Sequence, residues 1–349
     1  MKRLLLTALL FSVACGSEAS DPTNAASGGS ATSGNGGGSS NADSGSGSIS
    51  AQPTEASDPD APMVGSFTVS MPPTDPATGV RDAASFQGVV RDGPAVEMTS
   101  WSVLDTDEYC TLYAPSIPFC DPACESGASC VTGDVCQAYP TAHSLGKATL
   151  TGLELEDGTR EFSITPLRPN FNYLPGASVS LINPPIAEGA PVQLTTEGGD
   201  YDPITLVALG IAPLDLQSDG EPLPFSADSS LTLTWTQPEQ PALSEILIEV
   251  DISHHGGAKG KINCAAPDEG SLEISQALVA GLIDLGVAGF PTIRVTRRSA
   301  GYANIEPGLV ALEIISDLEL PLAIPGLISC AGPDDCEAGQ TCGTDRTCQ

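Results

Sequence analysis

The sequence predicts a mostly β protein. Its body is expected to be an antiparallel β-sandwich, immunoglobulin-like by strand count, with two small disulfide-rich modules and a disordered N-terminal tether. Three observations lead there. Short runs of period-2 alternation recur every 10–15 residues or so, separated by Pro and Gly, as in a sandwich. The chain holds 37 Gly and 30 Pro in 349 residues, which favours turns and strands over helices. Eleven cysteines, eight of them in two quartets, point to an oxidising compartment. With 40% hydrophobic residues, a chain of this length can bury a substantial core.

The chain opens with Lys2 and Arg3 followed by the apolar stretch Leu4 to Ala14, the layout of an export signal over residues 1–14. That stretch falls short of the roughly 20 residues a bilayer-spanning helix needs. Its end, Ser12-Val13-Ala14-Cys15, resembles a bacterial lipobox, with Ser12 where that pattern prefers Leu. The resemblance implies that Cys15 becomes the mature N-terminus and carries a diacylglycerol and an N-acyl chain. Several acyl chains together give stable anchoring. Gly16 and Ser17 follow with no Asp beside the lipidated position, which resembles lipoproteins sent to the Gram-negative outer membrane. The expected location is therefore the outer membrane, with the body in the periplasm or at the cell surface. Ordinary cleavage near Ala14 is the alternative. Residues 15–62 are rich in Gly, Ser, Ala, Asn and Asp, and they read as a coil with a reach of about 35–40 Å.

Residues 63–109 contain strand-like runs at 65–70, 86–90 and 96–104, set apart by Pro72-Pro73, Gly79 and Gly93-Pro94. They fit either a small β domain or the first strands of the sandwich. Residues 110–140 form the first cysteine module. It is expected to lack regular structure because Pro115, Pro118, Pro122 and Gly127 punctuate it. The sandwich body is assigned to 145–328. Its strands are read at 161–165, 177–181, 191–195, 231–236, 246–252, 261–264, 292–296 and 310–315. Leu231-Thr-Leu-Thr-Trp-Thr236 is the clearest, with Leu231, Leu233 and Trp235 on one face. One helix is predicted from an N-cap at Ser275 through Leu282. The second cysteine module, 330–349, ends the sequence.

The quartets are Cys120, Cys124, Cys130, Cys136 and Cys330, Cys336, Cys342, Cys348. Export and the absence of neighbouring His favour disulfides over zinc, and spacing leaves the pairing open. Cys264 shares a strand face with Ile262, and a bridge to Cys110 would tie the module to the body. The segments Cys124-Glu-Ser-Gly-Ala-Ser-Cys130 and Cys336-Glu-Ala-Gly-Gln-Thr-Cys342 resemble short cysteine modules of exported bacterial lipoproteins. That resemblance implies surface exposure and says nothing of a ligand.

No catalytic signature emerges. The formal charge of −31 would repel a phosphate backbone, so nucleic acid is not an expected partner. Adjacent His254 and His255 are expected to point to opposite faces, which disfavours a shared metal. Ser144-Leu-Gly-Lys147 matches a Ser-x-x-Lys pattern, yet the partner motifs are missing. The acidic loops at Asp200 and Asp202, and at Asp215, Asp219 and Glu221, are the calcium candidates. No other cofactor is expected. The functional expectation is a non-enzymatic, lipid-anchored module that binds or displays a protein or glycan at the envelope. A glycan hydrolase with a carboxylate pair, or a protease inhibitor built on the cysteine modules, stands as the alternative.

Overall fold

One long hairpin carries the architecture. The computed structural model describes residues 52–75, 78–218 and 220–349. Cys15, the signal stretch, the tether up to residue 51 and Asp219 lie outside the described residues. The first strands are β1 (Met63–Ser70), β2 (Ser85–Arg91), β3 (Ser100–Thr106) and β4 (Cys110–Ser116). Four short ones follow: β5 (Ala128–Val131), β6 (Val135–Ala138), β7 (Ala142–His143) and β8 (Ala148–Thr151). Next come β9 (Glu161–Ile164), β10 (Pro191–Thr196), β11 (Thr205–Leu209), β12 (Leu223–Pro224) and β13 (Leu231–Thr234). The chain continues through β14 (Glu245–Asp251), β15 (Lys261–Pro267), β16 (Ser271–Ile274) and helix α1 (Gln276–Asp284). It culminates in β17 (Thr292–Ile305) and β18 (Gly308–Ala323), joined by two residues as a tight hairpin.

A ten-stranded sheet runs β3-β4-β15-β14-β17-β18-β1-β2-β7, with β12 added beside the end of β18. Its pairings are antiparallel except β1–β18 and β12–β18, which are parallel. Residues 63–109, left open by the sequence, thus supply three strands of the main sheet. A second sheet, β11-β10-β8-β9, faces one half of it and closes a first core around Phe67, Leu150, Leu194 and Leu312. The pair β13–β16 and α1 close a second core around Trp235, Ile248, Leu278 and Val295. A simple immunoglobulin-like sandwich closes one core; here two cores share one sheet, and the β17–β18 hairpin lines both.

Local chemistry explains the packing. Phe67 lies across Gly88, where a Cβ would come within 2.3 Å of its ring, and Tyr173 meets it edge-on at 5.1 Å between centroids. Leu231, Leu233 and Trp235 all point inward as the alternation requires. Helix α1 starts at the predicted cap, Ser275, and buries Leu278, Val279 and Leu282. Each such side chain contributes about 1.5–3 kcal/mol by leaving water. Residues 177–181 do not form a strand. Leu181 makes only isolated bridges to Ala84 and Leu155, so its burial reflects a packed loop. The body also begins earlier than residue 63: Thr54 accepts from Tyr302 N–H and donates to Val207 O, sealing β11 against β17.

Between the two cores the inward positions of the hairpin turn polar. Arg297 and Ser316 are cross-strand partners there, 1% and 0% exposed. Arg297 holds Asp268, itself fully buried, through Nε–Oδ2 at 2.6 Å and Nη2–Oδ1 at 3.1 Å. Its remaining N–H groups donate to the carbonyls of Ala212, Pro213 and Thr236. Asp268 also accepts from Trp235 Nε1 at 2.7 Å and Ser244 Oγ at 2.6 Å. Ser316 Oγ accepts from Leu214 N and donates to Met71 O. All five guanidinium donors are satisfied, so the buried pair is fully compensated. Asp268→Ala would strand a buried cation, and a loss of about 3–5 kcal/mol is expected in urea unfolding. A loss below about 1 kcal/mol would mean the pair is not held as described.

Candidate functional site

The described cysteines are all bridged, and their pairing is now explicit. Cys110–Cys264 joins opposed residues of β4 and β15 inside the second core, so Cys110 belongs to the main sheet rather than to a separate module. Each quartet pairs first with third and second with fourth: Cys120–Cys130, Cys124–Cys136, Cys330–Cys342 and Cys336–Cys348. The first module also contains regular structure, the β5–β6 hairpin, in which Cys130 sits opposite Cys136. The prolines and the cis Asp121-Pro122 bond fall before that hairpin, leaving it free to pair. Cys342 and Cys348 face each other in the same way, so the repeat seen in the spacing is a repeat in shape.

The two modules are seated differently. The C-terminal one docks on the body, with Asp345 O accepting from Gly289 N–H at 2.7 Å. The first extends β4 outward and touches residue 94 through Gln137 Nε2 and Pro94 O. Phe119 N–H donates to Asp134 Oδ1 at 2.9 Å, which fixes the backbone and leaves the side chain 78% exposed. Ile117 is 83% exposed. Of the twelve exposed large hydrophobic residues among those described, eight fall between Met98 and Tyr139, so exposed apolar side chains are concentrated in this part of the chain. Val103 and Leu104 continue it along β3, the strand at the end of the long sheet. At the β3–β4 turn the strip reaches an open groove of about 400 Å³ lined by Asp107, Glu108, Tyr109 and Glu273. Glu108, hydrogen-bonded to Tyr109, holds that hydroxyl above the ordinary phenol value.

The described residues singled out in the acidic loops do not form a group of three metal-competent side chains. Asp200 Oδ2 accepts from Ser144 N–H at 2.7 Å and lies 3.4 Å from His143 Nδ1. The Ser144 amide, and behind it His143, hold this carboxyl below its usual value. Asp215 Oδ2 accepts from Thr236 Oγ1 at 2.7 Å, on a different loop. Asp202 and Glu221 are exposed. Among the described residues, the groups of three metal-competent side chains are cysteines, whose sulfurs are committed to disulfides. Asp200 thus caps the Ser144 amide and Asp215 holds the Thr236 hydroxyl. Ser144 and Lys147 do not meet either: Ser144 Oγ accepts from Gly146 N–H, while Lys147 pairs with Glu197 at 3.0 Å. His254 and His255 do not diverge, because His255 takes a positive φ of 63° and brings the rings to 4.0 Å.

Sequence reasoning missed the β3–module strip because its residues read as ordinary strand and loop. The available signal was Ile117-Pro-Phe119, large apolar residues beside prolines that bar them from a sheet interior. No family model matches the chain, and no curated protein does. Among solved structures, the chicken CNTN1 FN1-FN3 domains match at 9% identity, over 69% of this chain and 71% of that one. The TM-score is 0.18, too low to relate the two folds. If the strip is a surface rather than a packing element, Phe119→Ser changes unfolding stability by no more than about 0.5 kcal/mol. A loss above about 2 kcal/mol would assign Phe119 to the core of the module instead.

Proposed function

We propose that this chain is a non-enzymatic binding or display module held at the cell envelope by lipid on Cys15. The observation that carries the binding half is the concentration of exposed apolar side chains on β3 and the first cysteine module. Exposed large apolar side chains gathered in one part of a chain often mark a surface that a partner covers. Five disulfides, spread over both cysteine modules and the second core, support an oxidising compartment. The lipobox-like end of the signal supports the anchor, and the Gly/Ser-rich tether would hold the body clear of the headgroups. Among the described residues no helix is long and apolar enough to cross a membrane.

The test uses the full-length chain in its own envelope. A photocrosslinking residue at Phe119 should give a discrete adduct in intact cells, and the same residue at Leu167, exposed elsewhere, should not. A fatty-acid probe should label the wild type and not Cys15→Ala. Identical adducts from the two positions, or none, would remove the binding reading. Equal labelling of wild type and variant would remove the anchor.

A further inference from the structure

We infer that β3 is a docking edge for an extended, basic, alternating apolar segment of a partner protein, which would add a strand to the long sheet. This rests on the binding reading above and names the chemistry of the partner. Three observations carry it. Among the described residues, β3 is the longest strand standing at a sheet end, seven residues against two to five for the others. Among the described residues its outer row of backbone groups faces no strand, whereas the end strand β11 is covered by Thr54. An exposed edge of this kind is a template for strand addition.

The second observation is the edge's chemistry. Protective devices on natural edges include Lys, Pro and bulges. β3 has neither Lys nor Pro; its one charged residue, Asp105, and its one irregularity, the register shift between Val103 and Asp105, both lie in its second half. Ser100 to Val103 therefore remain regular, about four residues or 13 Å of straight edge. Val103 and Leu104 on β3, and Ile117 and Phe119 just past the end of β4, supply exposed apolar side chains.

The third observation is charge. Residues 94–140 contain seven Asp and Glu and no Lys, Arg or His. The strip ends in the acidic groove at Asp107, Glu108 and Glu273. A segment alternating apolar and basic residues satisfies the edge, the apolar strip and the acidic rim together. A second copy of this chain would bring a formal charge of −31 against −31, which opposes self-pairing.

The probe is the capped peptide Lys-Val-Lys-Val-Lys-Val-Lys, titrated into the intact folded chain. The controls are its Glu-for-Lys counterpart and a block isomer, Lys-Lys-Lys-Lys-Val-Val-Val, of equal charge. The alternating peptide should bind saturably, about tenfold tighter than the block isomer, and shift the amide resonances of residues 100–103. The charge-neutral variants Val103→Pro and Phe119→Ser should weaken it by about tenfold and several-fold, respectively. The disulfides and circular dichroism of each variant check its folding, and Leu104→Lys provides a second edge variant. Equal binding of the two lysine peptides, or an unaffected Val103→Pro, would overturn the proposal even if Phe119 crosslinks a partner in cells. So would a wild-type dimer in sedimentation that Val103→Pro dissolves, because the occupant would then be a second copy.

Discussion

The rest of the structure depends on one buried ion pair. Arg297 and Asp268 meet between the two apolar cores, and three of the chain segments that link the cores, residues 212–213, β17 and β18, come together there. The crossing from β11 toward β12 presents the carbonyls of Ala212 and Pro213 to Arg297. Trp235 and Ser244, from the second core's own loops, hold Asp268. Ser299 donates to Leu209 O and Ser316 to Met71 O on the first core's side, while Ser316 Oγ accepts from Leu214 N–H on the second core's side. Burying a charge is costly unless every donor and acceptor is met, and here they are met by groups distant in sequence. The pair therefore specifies how the two halves align more than it adds net stability.

That junction also explains why much of the fold was legible and this part was not. Period-2 alternation in Leu231–Trp235 and in Ile246–Ile252 reflects one buried face, so those strands can be read locally. The helix from Ser275 could be read from a cap and an apolar stripe. Arg297 breaks the pattern: it continues the inward parity of Ile293 and Val295, yet its type suggests solvent. Parity alone could have flagged it, but its partner at Asp268 is known only once β15 and β17 are placed in space. The parallel pairing of β1 with β18 joins residues about 245 apart, which no local pattern encodes. Residues 177–181 alternate without forming a strand, a case where the pattern serves a packed loop.

The cysteines divide between two tasks. Cys110–Cys264 lies inside the second core and ties neighbouring strands whose residues are 154 apart in sequence. The quartets close loops of only 10 to 12 residues and give shape to segments too small for a core of their own. One such module is docked against the body through Asp345. The other projects from the end of β4 and carries Phe119 outward on a fixed backbone. The candidate surface is thus a product of the scaffold: a rigid sheet edge prolonged by a stapled tip. Of the acidic-loop residues, Asp200 caps an amide and Asp215 holds a hydroxyl.

The central claim is that the Arg297–Asp268 seam makes two cores one cooperative body. Native-state hydrogen exchange across a urea series tests it most directly, comparing amides of Leu194 and Leu206 in the first core with Ile248 and Val250 in the second. In the wild type the two sets should open with the same free energy and the same urea dependence. In the paired substitution Arg297→Met with Asp268→Leu, which leaves no stranded charge, they should separate. Divergent opening in the wild type, or coincident opening in the paired variant, would contradict the account.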